Sequence, residues 1–258
     1  MTIMEKTEPE NKATNNNEII VEMKGVKKSF NQNHVLKDVN FKLNKGENLV
    51  VLGKSGTGKS VLIKCIVKLI EIDNGTLTVF NEDILSLKDK ELNEMREKIG
   101  FLFQSGALYD SMTVRENLEF PIRRRSKKVT QEELDTSVKE VLVNVGLEDT
   151  IDKMPSELSG GMRKRISLAR TLILKPELML YDEPTTGLDP ITSQEISELI
   201  LEVQKKYKTT SIIITHDIKC AKITSNRIMV IDGGGFIAEG TYDELKDSKD
   251  ELVSSFFK

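Results

Sequence analysis

Apolar and polar side chains alternate through residues 19–23 and again at Val39, Phe41 and Leu43, the period-two pattern of half-buried antiparallel strands. The ordered chain is therefore expected to open with a small β layer. Residues 48–52 form a short apolar run that ends on a glycine-rich turn, and residues 59–70 continue with a helical pattern, giving strand, loop and helix in succession. Four more short apolar runs, 99–103, 178–181, 211–215 and 228–231, lack alternation. Strands of that kind belong to a mostly parallel sheet covered on both faces, an α/β architecture. Between Phe103 and Pro176 the period becomes helical, over 114–120 and then over 131–145, where Leu134, Val138, Val141, Leu142 and Val145 form one apolar stripe. This predicts a helical subdomain inserted over about residues 105–175. The glycines 233–235 predict a turn between 228–231 and 236–238, and the chain from Tyr242 reads as a charged, helix-like ending. No internal repeat is present.

At 258 residues the chain is long enough for one large domain, or a core domain carrying an insertion. A net charge of -3 with 31% charged residues lacks the basic excess of a protein that neutralises nucleic-acid phosphates, so nucleic acid is not an expected partner. Cys65 and Cys220 lie in apolar runs without metal spacing and read as buried thiols of a reducing compartment. Residues 1–18 carry Glu5, Glu8, Glu10 and three successive asparagines where a signal peptide needs an apolar core, and are expected to be disordered. The most apolar helical stretch, 61–70, is cut by Lys64 and Lys68, whereas a spanning helix needs about 20 mostly apolar residues. Any membrane role is expected to run through a partner. The main domain is expected over 19–245, with 246–258 as a tail.

Three constellations carry chemistry. Gly53, Lys54, Ser55, Gly56, Thr57, Gly58, Lys59 and Ser60 match G-x-x-x-x-G-K-[ST] between a strand and a helix. In such a loop the glycines let backbone N–H groups wrap phosphates, the lysine reaches the β/γ oxygens and the final hydroxyl binds Mg²⁺. Asp182 and Glu183 end an apolar strand, where an open α/β sheet places its ligand; Asp182 is suited to Mg²⁺, and Glu183, pointing the other way, to poising a water. Ser159, Gly160 and Gly161 precede a helical pattern and build a second helix end with bare N–H groups, an anion-binding geometry.

The phosphate loop, Gln104, residues 158–162, Asp182 with Glu183, residues 187–190 and His216 stand in the order of the ATP-binding cassette (ABC) ATPases, and the chain resembles that family over about residues 19–245. The resemblance implies ATP and Mg²⁺ as ligands, with a fold of parallel core sheet, antiparallel β layer and inserted helical subdomain. It implies that Phe30 stacks on adenine, where the family more often has tyrosine, and that Gln104 reaches Mg²⁺ and the attacking water while sensing a membrane partner. It further implies that His216 contacts the γ-phosphate, that Asp189 communicates between two sites, and that Ser159 and Gly161 contact the ATP of a partner subunit. With one phosphate loop, one signature and no repeat, a second copy of the chain is the simplest partner. The stretch 103–118, together with Met162 where most cassettes have glutamine, and the ending 254–257, are similar to the Mla/Mce-type lipid-transport ATPases of bacterial envelopes. That implies a permease, a periplasmic lipid-binding subunit of MCE type and a place on the cytoplasmic face of the inner membrane. An amino-acid or other solute importer, and a non-transport ABC regulator, stay open beside it. The basic cluster Arg123, Arg124, Arg125, Lys127 and Lys128 faces anionic headgroups, the permease or water.

Overall fold

A computed structural model describes residues 18–125 and 129–257. The expected disorder before residue 18, and Lys127 and Lys128 of the basic cluster, lie outside the described residues. In chain order the elements are β1 (Ile19–Phe30), β2 (Asn33–Asn44), β3 (Asn48–Leu52), α1 (Lys59–Ile66), β4 (Asn74–Val79), β5 (Glu82–Asp83), α2 (Asp89–Arg96) and β6 (Ile99–Leu102). They continue with α3 (Val114–Arg123), α4 (Gln131–Val145), α5 (Gly160–Leu172), β7 (Leu178–Asp182), α6 (Pro190–Tyr207) and β8 (Thr210–Thr215). The chain closes with α7 (Ile218–Thr224), β9 (Arg227–Asp232), β10 (Gly235–Gly240), α8 (Tyr242–Lys246) and α9 (Glu251–Ser255).

β1 pairs antiparallel with β2 and β4, giving a layer of order β2-β1-β4-β5. The second sheet runs β10-β9-β3-β8-β7-β6, parallel except for the β9–β10 hairpin that turns at Gly233 and Gly234. Its apolar strands are buried on both faces, as their lack of alternation requires. The two faces have different covers. Val50, Leu52, Met179, Tyr181 and Ile213 pack with α3, α4, α5 and α6, whereas Leu49, Val51, Leu178, Leu180, Ile212 and Ile214 pack with α1 and the antiparallel layer. The sheet thus divides two apolar cores, and one of its faces is covered by a second sheet plus α1 rather than by helices alone.

Local signals set most boundaries. Thr113 with Glu116 and Thr130 with Glu133 close reciprocal capping boxes at the starts of α3 and α4, and Gly146, at φ 66°, ends α4 in the left-handed region. The helix expected over 59–70 stops at Ile66. Lys68 adopts φ 51° while the Lys68 and Leu69 amides bond back to Cys65 O and Lys64 O, both at 2.9 Å, so the turn closes and Ile70 and Ile72 pack against the same core as α1. The strand expected to reach Phe103 ends at Leu102, and α3 continues past Pro121 to Arg123. The ending from Tyr242 is two short helices, and it is anchored: Val253 is buried, Phe256 and Phe257 pack on the helical core, and Tyr242 meets Phe257 edge-on at 5.5 Å.

Candidate functional site

β3, β7 and β8 are adjacent and parallel, so their carboxyl ends deliver the phosphate loop, Asp182 with Glu183, and His216 to one edge of the sheet. A cavity of about 430 Å³ opens there, lined by Phe30, Ser55, Gly56, Gly58, Lys59, Ser60, Gln104, Glu183 and His216, and also by Val35, Val61 and Thr186. Nine residues proposed from sequence therefore share one wall. Asp182 joins them through Ser60, whose hydroxyl donates to its carboxylate at 2.7 Å.

The loop is folded around its own carbonyls. Lys54 O accepts from Thr57 N at 3.4 Å, Thr57 Oγ1 at 2.9 Å and Lys59 Nζ at 2.9 Å, and Gly53 O accepts from Lys59 Nζ at 2.7 Å. Gly53 has no room for a side chain: a Cβ there would lie 2.7 Å from Ile231 O. Gly58, at φ 97°, caps α1, so the helix begins where its unpaired N–H groups face the cavity. Lys59 is only 5% exposed and sits 3.4 Å from a Glu183 carboxylate oxygen, a buried opposite-charge pair.

Glu183 does not simply continue the alternation of β7. Its φ is 50°, so the chain leaves the strand in a left-handed turn while the Glu183 amide still bonds Ile214 O at 2.9 Å. A non-glycine residue held there stores strain of the order of 1–3 kcal/mol, a feature that clusters at functional sites. The turn aims the carboxylate into the cavity, where the other oxygen meets His216 Nδ1 at 2.8 Å and accepts from the Thr186 hydroxyl at 3.2 Å. Thr186 was not singled out from sequence; its signal is its place three residues after Glu183, across a turn closed by Thr186 N on Glu183 O.

Phe30 is 45% exposed at the end of β1 with the Lys28 ammonium 5.3 Å from its ring centre, so it is a presented ring face and not a core aromatic. Gln104 follows β6, and its carbonyl accepts from the buried Lys164 ammonium at 2.7 Å. Burial lowers the Lys164 pKa, against which the charges of Asp182 and Glu183 act. Lys164 also escaped the sequence reading, although a lysine four residues from Leu168 and eight from Leu172, on the apolar stripe of a helix, was a visible signal.

Ser159, Gly160, Gly161 and Asp189 are not brought to this cavity. Ser159 caps α5 by accepting from Met162 N at 3.2 Å, and the helix end packs on the start of α6: a Cβ on Gly161 would lie 2.6 Å from the Thr192 side chain. Asp189 caps α6. The Thr192 hydroxyl at 2.6 Å, with the Thr192 and Ile191 amides at 3.0 Å, holds its carboxyl below the usual carboxylate range. The described part of the basic cluster is internally engaged, Arg123 with Glu119, Arg125 with Glu97, and Arg124 over the Phe120 ring. Among the described residues no group of three or more His, Cys, Asp or Glu could hold a metal ion, and no helix is long and apolar enough to cross a membrane.

A family model described as ABC transporter matches residues 36–186. The probable ribonucleotide transport ATP-binding protein mkl of Mycobacterium leprae is 37% identical over 238 residues, covering 92% of this chain and 68% of that protein. Protein TRIGALACTOSYLDIACYLGLYCEROL 3, chloroplastic, of Arabidopsis thaliana is 37% identical over 94% of this chain and 74% of its own length. The methionine import ATP-binding protein MetN of Vibrio vulnificus is 36% identical over 93% and 70%. This chain thus spans about two thirds to three quarters of these relatives' lengths. Among solved structures, the dimeric ATP-binding cassette MJ0796 bound to ADP and Pi superposes with TM-score 0.79 at 32% identity, over 86% of this chain and 99% of that one. The structure of cbiO1 from Clostridium perfringens, part of the ABC transporter complex cbiONQ, gives 0.82 at 29% identity, over 93% and 96%.

Proposed function

The chain belongs to the ABC transporter family as an ATP-binding subunit, and on that premise we propose that it hydrolyses ATP with Mg²⁺ in the cavity at the ends of β3, β7 and β8. The carrying observation is the convergence of Lys59, the Ser60–Asp182 pair and Glu183 on one wall. The oxygen donors present, a hydroxyl bonded to a carboxylate with Gln104 nearby, suit a hard divalent cation that takes its remaining ligands from phosphate and water. When bound, Mg²⁺ neutralises phosphate charge. The residues do the rest. Phe30 offers its face to the base, and the start of α1 and Lys59 hold the phosphates.

Lys59 is paired with Glu183 in this structure. Phosphate oxygens arriving at Lys59 take over that charge and release Glu183 to accept the proton of the water that attacks the γ-phosphorus, as the bond to the ADP oxygen breaks. His216, on the second carboxylate oxygen, fixes the direction of Glu183. The separation of Ser159, Gly160, Gly161 and Asp189 from the chain's own cavity supports a sandwich in which they face the ATP of a second copy. Closing and reopening that dimer drives a separate permease.

For cargo the reading is lipid, carried by residues 103–118 and Met162 and consonant with a relative whose name is that of a galactolipid. It places the subunit at the cytoplasmic face of a bacterial inner membrane, with a periplasmic MCE-type subunit on the complex. Solute import is the second reading, favoured by the methionine-import relatives. Affinity purification from mild-detergent membranes separates the two: bound lipid and a single-anchor periplasmic subunit are expected, and solute-importer subunits would overturn the lipid assignment.

A further inference from the structure

The segment that follows β6 lies along one face of α5, in register. Lys164 bonds the Gln104 carbonyl at 2.7 Å. Three residues on, Ser167 closes over Gly106, where a Cβ would lie 2.5 Å from its hydroxyl and where φ is 78°. Three further on, the Arg170 guanidinium lies 5.4 Å from the centre of the Tyr109 ring. Residues 164, 167 and 170 fall on one face of a helix because three-residue steps nearly complete each turn. The rungs 164 to 104, 167 to 106 and 170 to 109 are thus three contacts of different chemistry, polar, steric and cation–π, between the same two stretches of chain.

Lys164 stands apart from the other two. Gln104 sits inside the turn closed by Gly106 N on Phe103 O at 2.9 Å, so its carbonyl is outside the sheet ladder and draws its donor from Lys164, which is 6% exposed. Burying an ammonium is costly unless it is bonded. That cost makes the position of Gln104 specific: a shift of its backbone strands a buried cation. α5 is capped by Ser159, so the helix end proposed to face a second copy's ATP and the glutamine facing the chain's own cavity are tied by one lysine.

We propose that Lys164 is a positioning residue for Gln104, the polar rung of a three-rung lock that makes residues 104–109 and α5 move as one lever between the two nucleotide sites. The proposal rests on the role assigned above to Gln104. Gln104 is placed by its carbonyl, so its side chain returns to the same point in the cavity each cycle. The steric and cation–π rungs keep the register but do not touch Gln104.

A double-mutant cycle on the full chain tests this. Lys164→Met keeps length and removes the donor; it is expected to lower kcat for ATP roughly tenfold, the scale of a misplaced catalytic group, while KM changes less than about twofold. Gln104→Ala is expected to lower kcat at least as far, and adding Lys164→Met to it to lower kcat no further. Multiplicative losses, or a KM change equal to the kcat change, would overturn the lock and leave Gln104 in its role. A Gln104→Ala variant with normal kcat would overturn that role, and with it anything for Lys164 to position. Should Lys164→Met fail to fold, the cycle runs with Lys164→Gln, which keeps a polar head in the buried position; coupling within twofold of multiplicative rejects the proposal there too.

Discussion

Glu183→Gln tests the carboxylate at the centre of the site. Glutamine has the shape of glutamate, and its amide oxygen still accepts from Thr186 Oγ1, which donates to Glu183 at 3.2 Å. What disappears is the negative charge, 3.4 Å from Lys59 and 2.8 Å from His216 Nδ1, and the ability to take a proton. A lost positioned base costs about 10² to 10⁴ in rate, or about 2.7–5.4 kcal/mol of activation free energy at 1.36 kcal/mol per decade. Stability falls as well: removing one partner of a buried ion pair costs about 3–5 kcal/mol where the other is left unpaired, and less here because Lys59 keeps Gly53 O and Lys54 O as acceptors at 2.7 and 2.9 Å. Removing an anion from a phosphate site also lifts a repulsion, so ATP affinity is expected to hold or tighten. Phosphate release at saturating ATP reads the turnover, calorimetry the affinity and urea titration the stability. Turnover within tenfold of the unaltered protein, with ATP bound normally, would remove Glu183 from its role.

Lys59→Ala is expected to weaken ATP binding itself, by losing a charge-assisted contact; unchanged affinity by calorimetry contradicts the loop assignment. Ser159→Arg is expected to leave ATP binding intact and block turnover by obstructing the second copy's phosphates, so a fully active variant refutes the two-chain geometry. Tyr181→Phe is expected to stabilise the fold by about 1 kcal/mol, because the Tyr181 hydroxyl is fully buried and has no hydrogen-bond partner among the described residues. A lower urea midpoint would refute that.

The core strands and the phosphate loop were legible because each carries its own signal, an apolar run or a spaced glycine-lysine-serine. What sequence missed depends on partners far along the chain. Only Leu77 and Val79 of the six residues of β4 are apolar, and it is a strand because β1 supplies its ladder from Val21 to Lys27. Glu183 reads locally as the next residue of a strand, and its amide does continue the ladder onto Ile214 O, but its φ of 50° turns the chain out of the sheet. α1 ends earlier than its pattern predicts because the apolar residues beyond Ile66 continue the spacing into the same core while Lys68, at φ 51°, closes the turn. The place of Lys164 on the apolar stripe of α5 marks it as buried, but its acceptor, the Gln104 carbonyl sixty residues away, is supplied only by the fold.

Because the parallel sheet is the wall between two apolar cores, parity along a strand acts as an address. Ile212 and Ile214 report to the side that holds the phosphate-loop helix, and Ile213, the same residue between them, reports to the side that carries α5 and its neighbours. Trimming one methyl from adjacent isoleucines would loosen opposite halves of the domain, the side of the phosphate-loop helix or the side of α5, independently and with chemically identical changes one residue apart.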